Sequence, residues 1–166
     1  DGARDTRSAG MTTSVDRVAR ILIDRSWSLA VAESLTGGLL ASRFAAGPRA
    51  SSWFLGGVVA YTRETKRKLL GAGDGPLVSE QTVVEMAQGV AALVGAHVAA
   101  AVSGAGGPEG HDGAEPGDVW IAVRVGDHMR TQRCHLSGDP ETVCSRTCDI
   151  AASLLDTTLA QTAGSS

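Results

Sequence analysis

The chain has 166 residues, 43% hydrophobic and 20% charged, with 15 basic and 18 acidic side chains and a formal net charge of −3. That length suffices for one ordinary domain with its own core, and the charge balance argues against the broad basic face that tracks nucleic-acid phosphates. No apolar stretch reaches the ~20 residues needed to span a bilayer, so no membrane partner is expected. The polar opening DGARDTRSAG, followed by Met11, has no signal-peptide pattern. Met11 is therefore the expected native start, the ten residues before it an added or loose tail, residues 1–11 together lying ahead of the domain, and the cytoplasm the expected location. Three cysteines, Cys134, Cys144 and Cys148, form no disulfide framework. Cys144 and Cys148, four apart in a helical stretch, read as core, and without paired short cysteine spacings no metal is expected.

Helical spacing of Val15, Val18, Ile21 and Leu22 predicts a first helix over 12–26, with Thr12 to Ser14 available as caps. SLAVAES (28–34) follows as a buried strand. A helix over 36–46 stops at Gly47-Pro48. FLGGVVAY (54–61) reads as a second strand, with Gly56 and Gly57 marking a bulge or a close backbone approach. A short helix, TRETKRKLLG, ends at Gly71, and another runs from Ser79 to about Val94. HVAAAVS (97–103) is a third strand. The glycine-dense GAGGPEGHDGAEPG (104–117) is a loop. DVWIAVRV and HMRTQRCHL form a hairpin around Gly126-Asp127. The last helix covers about 140–159, and 161–166 should fray. Strands and helices alternate and a hairpin closes the sheet. The expected fold is α/β, three-layer α/β/α with one mixed sheet of about five strands, forming a single domain over 12–160.

In open α/β sheets, sites form where strand carboxyl ends enter loops and helices. Here the strands end at Ser34, at Tyr61-Thr62 and at Ser103-Gly104, so a shared cleft lined by these ends is expected. A helix starting near Thr36 presents free amides and a positive dipole end, and Gly37 and Gly38 let a ligand approach. Such a cradle suits a phosphate or the oxyanion of acyl transfer, whereas a plain helix cap at Ser34 or Thr36 is the competing reading. A serine needs a neighbouring base, and no histidine lies in these motifs. Lys66, five residues after Tyr61, is the candidate, because burial lowers a lysine's pKa. The chain has 13 arginines and only two lysines, Lys66 and Lys68. Arginine cannot act as a base. Ser103, Gly104, Gly106 and Gly107 are expected to supply a third wall with exposed amides, a plain mobile loop being the competing reading. His111 on the same loop and Glu33 beside Ser34 are weaker candidates, each also readable as a solvated side chain.

The ordered segments AESLTGG, FLGGVVAYTRETKRKLLG and SGAGGPEGHDGAEPGDVWIA resemble the C-terminal domain of the CinA (competence/damage-inducible) proteins. The resemblance covers about residues 14–157, so the nucleotide-pyrophosphatase-like domain that precedes it in longer relatives is not expected within this sequence. Members of that family include amidohydrolases that convert nicotinamide mononucleotide to nicotinic acid mononucleotide and ammonia. The resemblance implies Ser34 as the nucleophile, Lys66 as its base and Tyr61 as a positioning or relay residue. It also implies oxyanion stabilisation by amides around Thr36, Gly37 and Gly38, and substrate contact by Ser103, Gly104, Gly106 and Gly107 or by an arginine. The expected partner is a small nucleotide. No cofactor is implied. Family members commonly self-associate, so a homo-oligomer of open stoichiometry is expected.

The sequence departs from the family at GDPETVC, where relatives read Gly-Asp-Arg-Glu-x-Val-Arg: Pro140 and Cys144 occupy the arginine places. That motivates a second hypothesis, a catalytically silent module that binds a nucleotide or a partner. A short-chain dehydrogenase is set aside. It needs Tyr-x-x-x-Lys, one residue shorter than here, and no dinucleotide fingerprint follows the first strand.

Overall fold

The computed structural model describes residues 10–162; the expectations for residues 1–9 and 163–166 lie outside it. The elements are α1 (Ser14–Arg25), β1 (Leu29–Glu33), α2 (Leu39–Ala45), a 3-10 turn (Ala50–Ser52) and β2 (Phe54–Val59). There follow α3 (Arg63–Leu70), α4 (Glu80–Val94), β3 (Val98–Gly104), β4 (Asp118–Val125), β5 (His128–His135) and α5 (Pro140–Thr162). The strands form one sheet in the order β2-β1-β3-β4-β5. β1 runs parallel to β2 and β3, while the β3–β4 and β4–β5 pairs are antiparallel. The fold is thus α/β with a mixed five-stranded open sheet. The α2 helix starts three residues later than the sequence suggests, and α5 runs three residues past Leu159.

Period-two alternation on the buried strands sorts the core into two layers. Leu29 and Val31 of β1 and Val98, Ala100 and Val102 of β3 face α1, α2 and α5. Ala30 and Ala32, with Ala99 and Ala101, face α4. These short side chains let α4 sit close to the sheet. Gly89 serves the same purpose on the other side of α4, because a Cβ there would lie 1.9 Å from the carbonyl oxygen of Leu70. The α3–α4 crossing therefore depends on a missing side chain, and α3 carries Lys66. On the opposite layer Trp53 stands edge-on to Phe44, their ring centroids 6.4 Å apart, and its Nε1 donates to the Pro48 carbonyl.

Caps fix where the helices begin. Thr13 and Asp16 form a reciprocal capping box on α1, Thr62 caps α3 and Ser79 caps α4. Asp139 accepts from the Thr142 amide at 2.7 Å at the start of α5. Pro140 occupies the first helical position, where a missing N–H costs nothing. After β1 the chain moves out to β2 and then returns past β1 to β3. The carboxyl ends of β1, β2 and β3 therefore meet at a switch point, where open α/β sheets hold their sites.

Candidate active site

Ser34 is the first residue beyond β1, and its amide donates to the Val102 carbonyl, tying it to β3. Lys66 lies one turn into α3 and is only 2% exposed. Its Nζ is 3.0 Å from Ser34 Oγ and donates to the Tyr61 carbonyl at 3.2 Å. Burial holds the amine down, with the guanidinium of Arg63 adding to the effect, so its pKa falls from 10.5 to about 8. An amine near neutrality beside a serine hydroxyl is the arrangement that activates an oxygen nucleophile. Lys68, by contrast, pairs with Glu64 on the solvated face of α3.

Ser34 opens into a cleft of about 190 Å³ lined also by Leu35, Tyr61 and residues 104–107 and 109–111, while Lys66 lies buried behind it. Its volume is below the usual range for a whole-ligand pocket, ~300–1,000 Å³, so it suits the reacting end of a ligand, the remainder lying outside. A concavity of about 550 Å³ lies between α1, α2 and α5. None of its lining side chains repeats the hydroxyl–amine contact of Ser34 and Lys66.

Around this pair the structure redistributes several expected roles. Neither Ser34 nor Thr36 caps α2. Its N-cap is Gly38, which makes no side-chain cap bond and has φ +110°, a conformation glycine adopts freely. The capping is done by Glu33, fully buried. Its Oε1 accepts from the Thr36 hydroxyl at 2.6 Å and from the Gly38 and Leu40 amides, while Oε2 accepts from the Ala41 amide. The helix's positive end is thereby occupied by the protein's own carboxylate. Gly37 donates to the Ser34 carbonyl. In the two turns bounding the cleft, the amides of Leu35, Thr36, Gly106 and Gly107 donate to no backbone carbonyl among the described residues. The Gly37 and Gly38 amides, by contrast, are engaged by the Ser34 carbonyl and the Glu33 carboxylate.

Ser103 is buried, and its hydroxyl donates to the Leu77 carbonyl at 2.7 Å, so it braces the 75–77 turn instead of lining the cleft. Gly104 packs against β4, where a Cβ would come within 2.8 Å of the Asp118 carbonyl oxygen. Tyr61 is 65% exposed: its backbone carbonyl holds Lys66, while its ring flanks the cleft. His111 is an exposed cleft-wall residue. Cys144 lies under the cleft, its thiol donating to the Leu35 carbonyl at 3.2 Å. Burial raises its pKa and pushes that of Cys148 to about 12, so both stay thiols. Sequence reasoning gave Glu33 too small a part and omitted Arg63 and Asp112. An acidic residue just ahead of a glycine-rich helix start was the signal for Glu33.

The model of the CinA C-terminal domain matches residues 11–159. The chain belongs to the CinA C-terminal domain family. A CinA-like protein of Thermotoga maritima is 40% identical over 140 residues, which is 81% of this chain and 34% of that protein. One of Frankia casuarinae is 38% identical over 147 residues, with 82% and 34% covered. The chain thus spans about a third of the length of the curated relatives it matches. Among solved structures, a CinA superfamily protein from Klebsiella pneumoniae superposes with a TM-score of 0.84 at 40% identity, covering 89% of this chain and 96% of that one. An Escherichia coli member gives 0.82 at 34% identity, covering 87% and 88%. The family's fold is the mixed α/β sheet described above. Among the described residues no helix is long and apolar enough to cross a membrane.

Proposed function

We propose that this CinA-family chain is an amidohydrolase that uses Ser34 as nucleophile and Lys66 as base, with the carboxamide of nicotinamide mononucleotide as substrate. The 3.0 Å approach of the buried Lys66 Nζ to Ser34 Oγ, with Ser34 lining a cleft, carries the reading. The neutral amine takes the hydroxyl proton as Oγ bonds to the carboxamide carbon. The carbonyl oxygen becomes an oxyanion facing the amides of Leu35, Thr36, Gly106 and Gly107. Lys66 then returns the proton to the amide nitrogen as the C–N bond breaks, and ammonia leaves. Water attacks the remaining ester, giving up a proton to Lys66, and the acid departs as Ser34 is re-protonated.

The nicotinamide substrate rests on the resemblance of the three motifs, and the volume of the cleft fits an amide-bearing ring with its ribose phosphate outside. A second reading, a binding module without turnover, is favoured by Pro140 and Cys144 in the arginine places and by Cys144 lying directly under the cleft. Ammonia release from nicotinamide mononucleotide distinguishes the two. The amidase reading expects release that disappears in folded Ser34→Ala and Lys66→Met proteins. Nucleotide binding with no release over long incubation selects the binding module, and release by the Ser34→Ala protein rules out the serine mechanism.

A further inference from the structure

Arg63, at the first position of α3, joins three segments. Its Nη1 donates to the Gly75 carbonyl at 2.7 Å and its Nη2 to Asp112 Oδ2 at 3.2 Å. The same Oδ2 accepts from the Leu77 amide at 2.9 Å. Asp112 has φ +50° and sits next to the cleft-wall residue His111, in the loop that also supplies Gly106 and Gly107. One ion pair thus fastens the tip of the glycine-rich loop to the helix that carries the base. Arg63 is also one helical turn from Lys66, on neighbouring positions of α3.

Resting on the Ser34–Lys66 reading, we infer that Arg63 and Asp112 are a paired positioning device. Arg63 biases Lys66 toward the neutral amine, Asp112 partly cancels that bias, and together they hold the glycine loop over the cleft. Arg63 disfavours the ammonium by like-charge repulsion, adding to burial. The other charges around Lys66 are committed elsewhere or point to solvent. On α3, Glu64 pairs with Lys68 and Arg67 is exposed. On α4, Glu85 accepts from Gly73 and Gln81, and Glu80 accepts from Thr131. On β1, Glu33 caps α2. The cleft wall adds Glu109 and His111, both exposed, and Tyr61 is exposed at the end of β2.

The two partners carry opposite signs, so their removal has opposite consequences. Arg63→Gln removes a repulsion and raises the titration midpoint of Lys66. Asp112→Asn keeps a carbonyl for the Leu77 amide but leaves Arg63 uncompensated, and lowers it. With only two lysines in the chain, a Lys68→Arg background leaves one side-chain amine to follow by NMR, with or without turnover. At low ionic strength the midpoint is expected to rise by about half a pH unit in Arg63→Gln and to fall by less in Asp112→Asn, both shifts shrinking in salt. Amide exchange in residues 105–113 is expected to quicken in Arg63→Gln. Shifts of the same direction in both variants, or no shift in either, overturn the inference, since a purely mechanical latch gives no opposition of sign. Unchanged exchange overturns its loop-holding half. Should Arg63→Gln unfold, the direction of the Asp112→Asn shift alone decides. If the midpoints move as expected while no protein releases ammonia, the charge pair stands and the amidase reading falls.

Discussion

Lys66 is the residue on which stability and chemistry pull in opposite directions. Its pKa in the folded chain, about 8, lies below the ordinary 10.5. Between those values the unfolded chain binds more protons, so the contribution of this group makes the protein more stable as pH rises from about 8 to 10.5. Below pH 8 the ammonium is buried at a cost. Lys66→Met is therefore expected to raise the melting temperature at pH 7 while abolishing turnover, and calorimetry showing a lower melting temperature would contradict burial as the cause of the shift. On the amidase proposal kcat/KM is expected to climb about tenfold per pH unit below 8 and level off above it, because only the neutral amine accepts the serine proton. Glu33 behaves differently. It is a fully buried carboxylate with four donors aimed at it. Glu33→Ala leaves those donors unpaired and is expected to cost about 3 kcal/mol or more in denaturant unfolding. An effect below about 1 kcal/mol would mean that water replaces the carboxylate.

At the scale of elements, Lys66 reaches Ser34 because α3 lies against α4 closely enough for Leu70 to touch Gly89. A methyl at position 89 meets the Leu70 carbonyl oxygen at 1.9 Å, and neither helix backbone can yield that much without moving α3 as a body. Gly89→Ala raises intrinsic helix propensity by roughly 1 kcal/mol, yet it is expected to destabilise the protein and to lower kcat more than it raises KM. The reason is that displacement of α3 moves Lys66 directly away from Ser34, whereas it reaches the cleft wall only through the exposed Arg63–Asp112 pair. Gains in both stability and activity would show that the crossing is looser than described. The same dependence is absent from α2, whose start is fixed locally by Glu33.

Across the whole molecule, the sheet separates two packing layers, and the cleft lies at one end of it. The layer formed by α1 and α5 is joined through Leu22, Leu155 and Leu159 and by Arg17 bonding to Asp156 at 2.8 Å. A cavity there has no direct route to Lys66. Leu155→Ala is expected to cost about 2–5 kcal/mol in unfolding, with the pH midpoint and kcat of the remaining folded protein unchanged. A shifted midpoint would reveal coupling through the sheet.

Local chemistry in the chain is enough to predict the elements. The short apolar runs LAVA and VAAAV, helical spacing in α1, and the start of α4 at Ser79 depend on neighbours within a few positions, so strands, helices and the three strand-end motifs were readable from order alone. The Ser34–Lys66 pairing was readable only as an expectation, because it joins residues 32 positions apart whose meeting depends on the α3–α4 crossing. Harder still were the role of Glu33, the buried hydroxyl of Ser103 and the Arg63–Asp112 pair. A carboxylate, a serine or an arginine has the same sequence neighbours whether it faces solvent or folded-back backbone donors and acceptors. Burial is what turns such a group into a cap, a brace or a charge partner, and burial is created by segments distant in the chain.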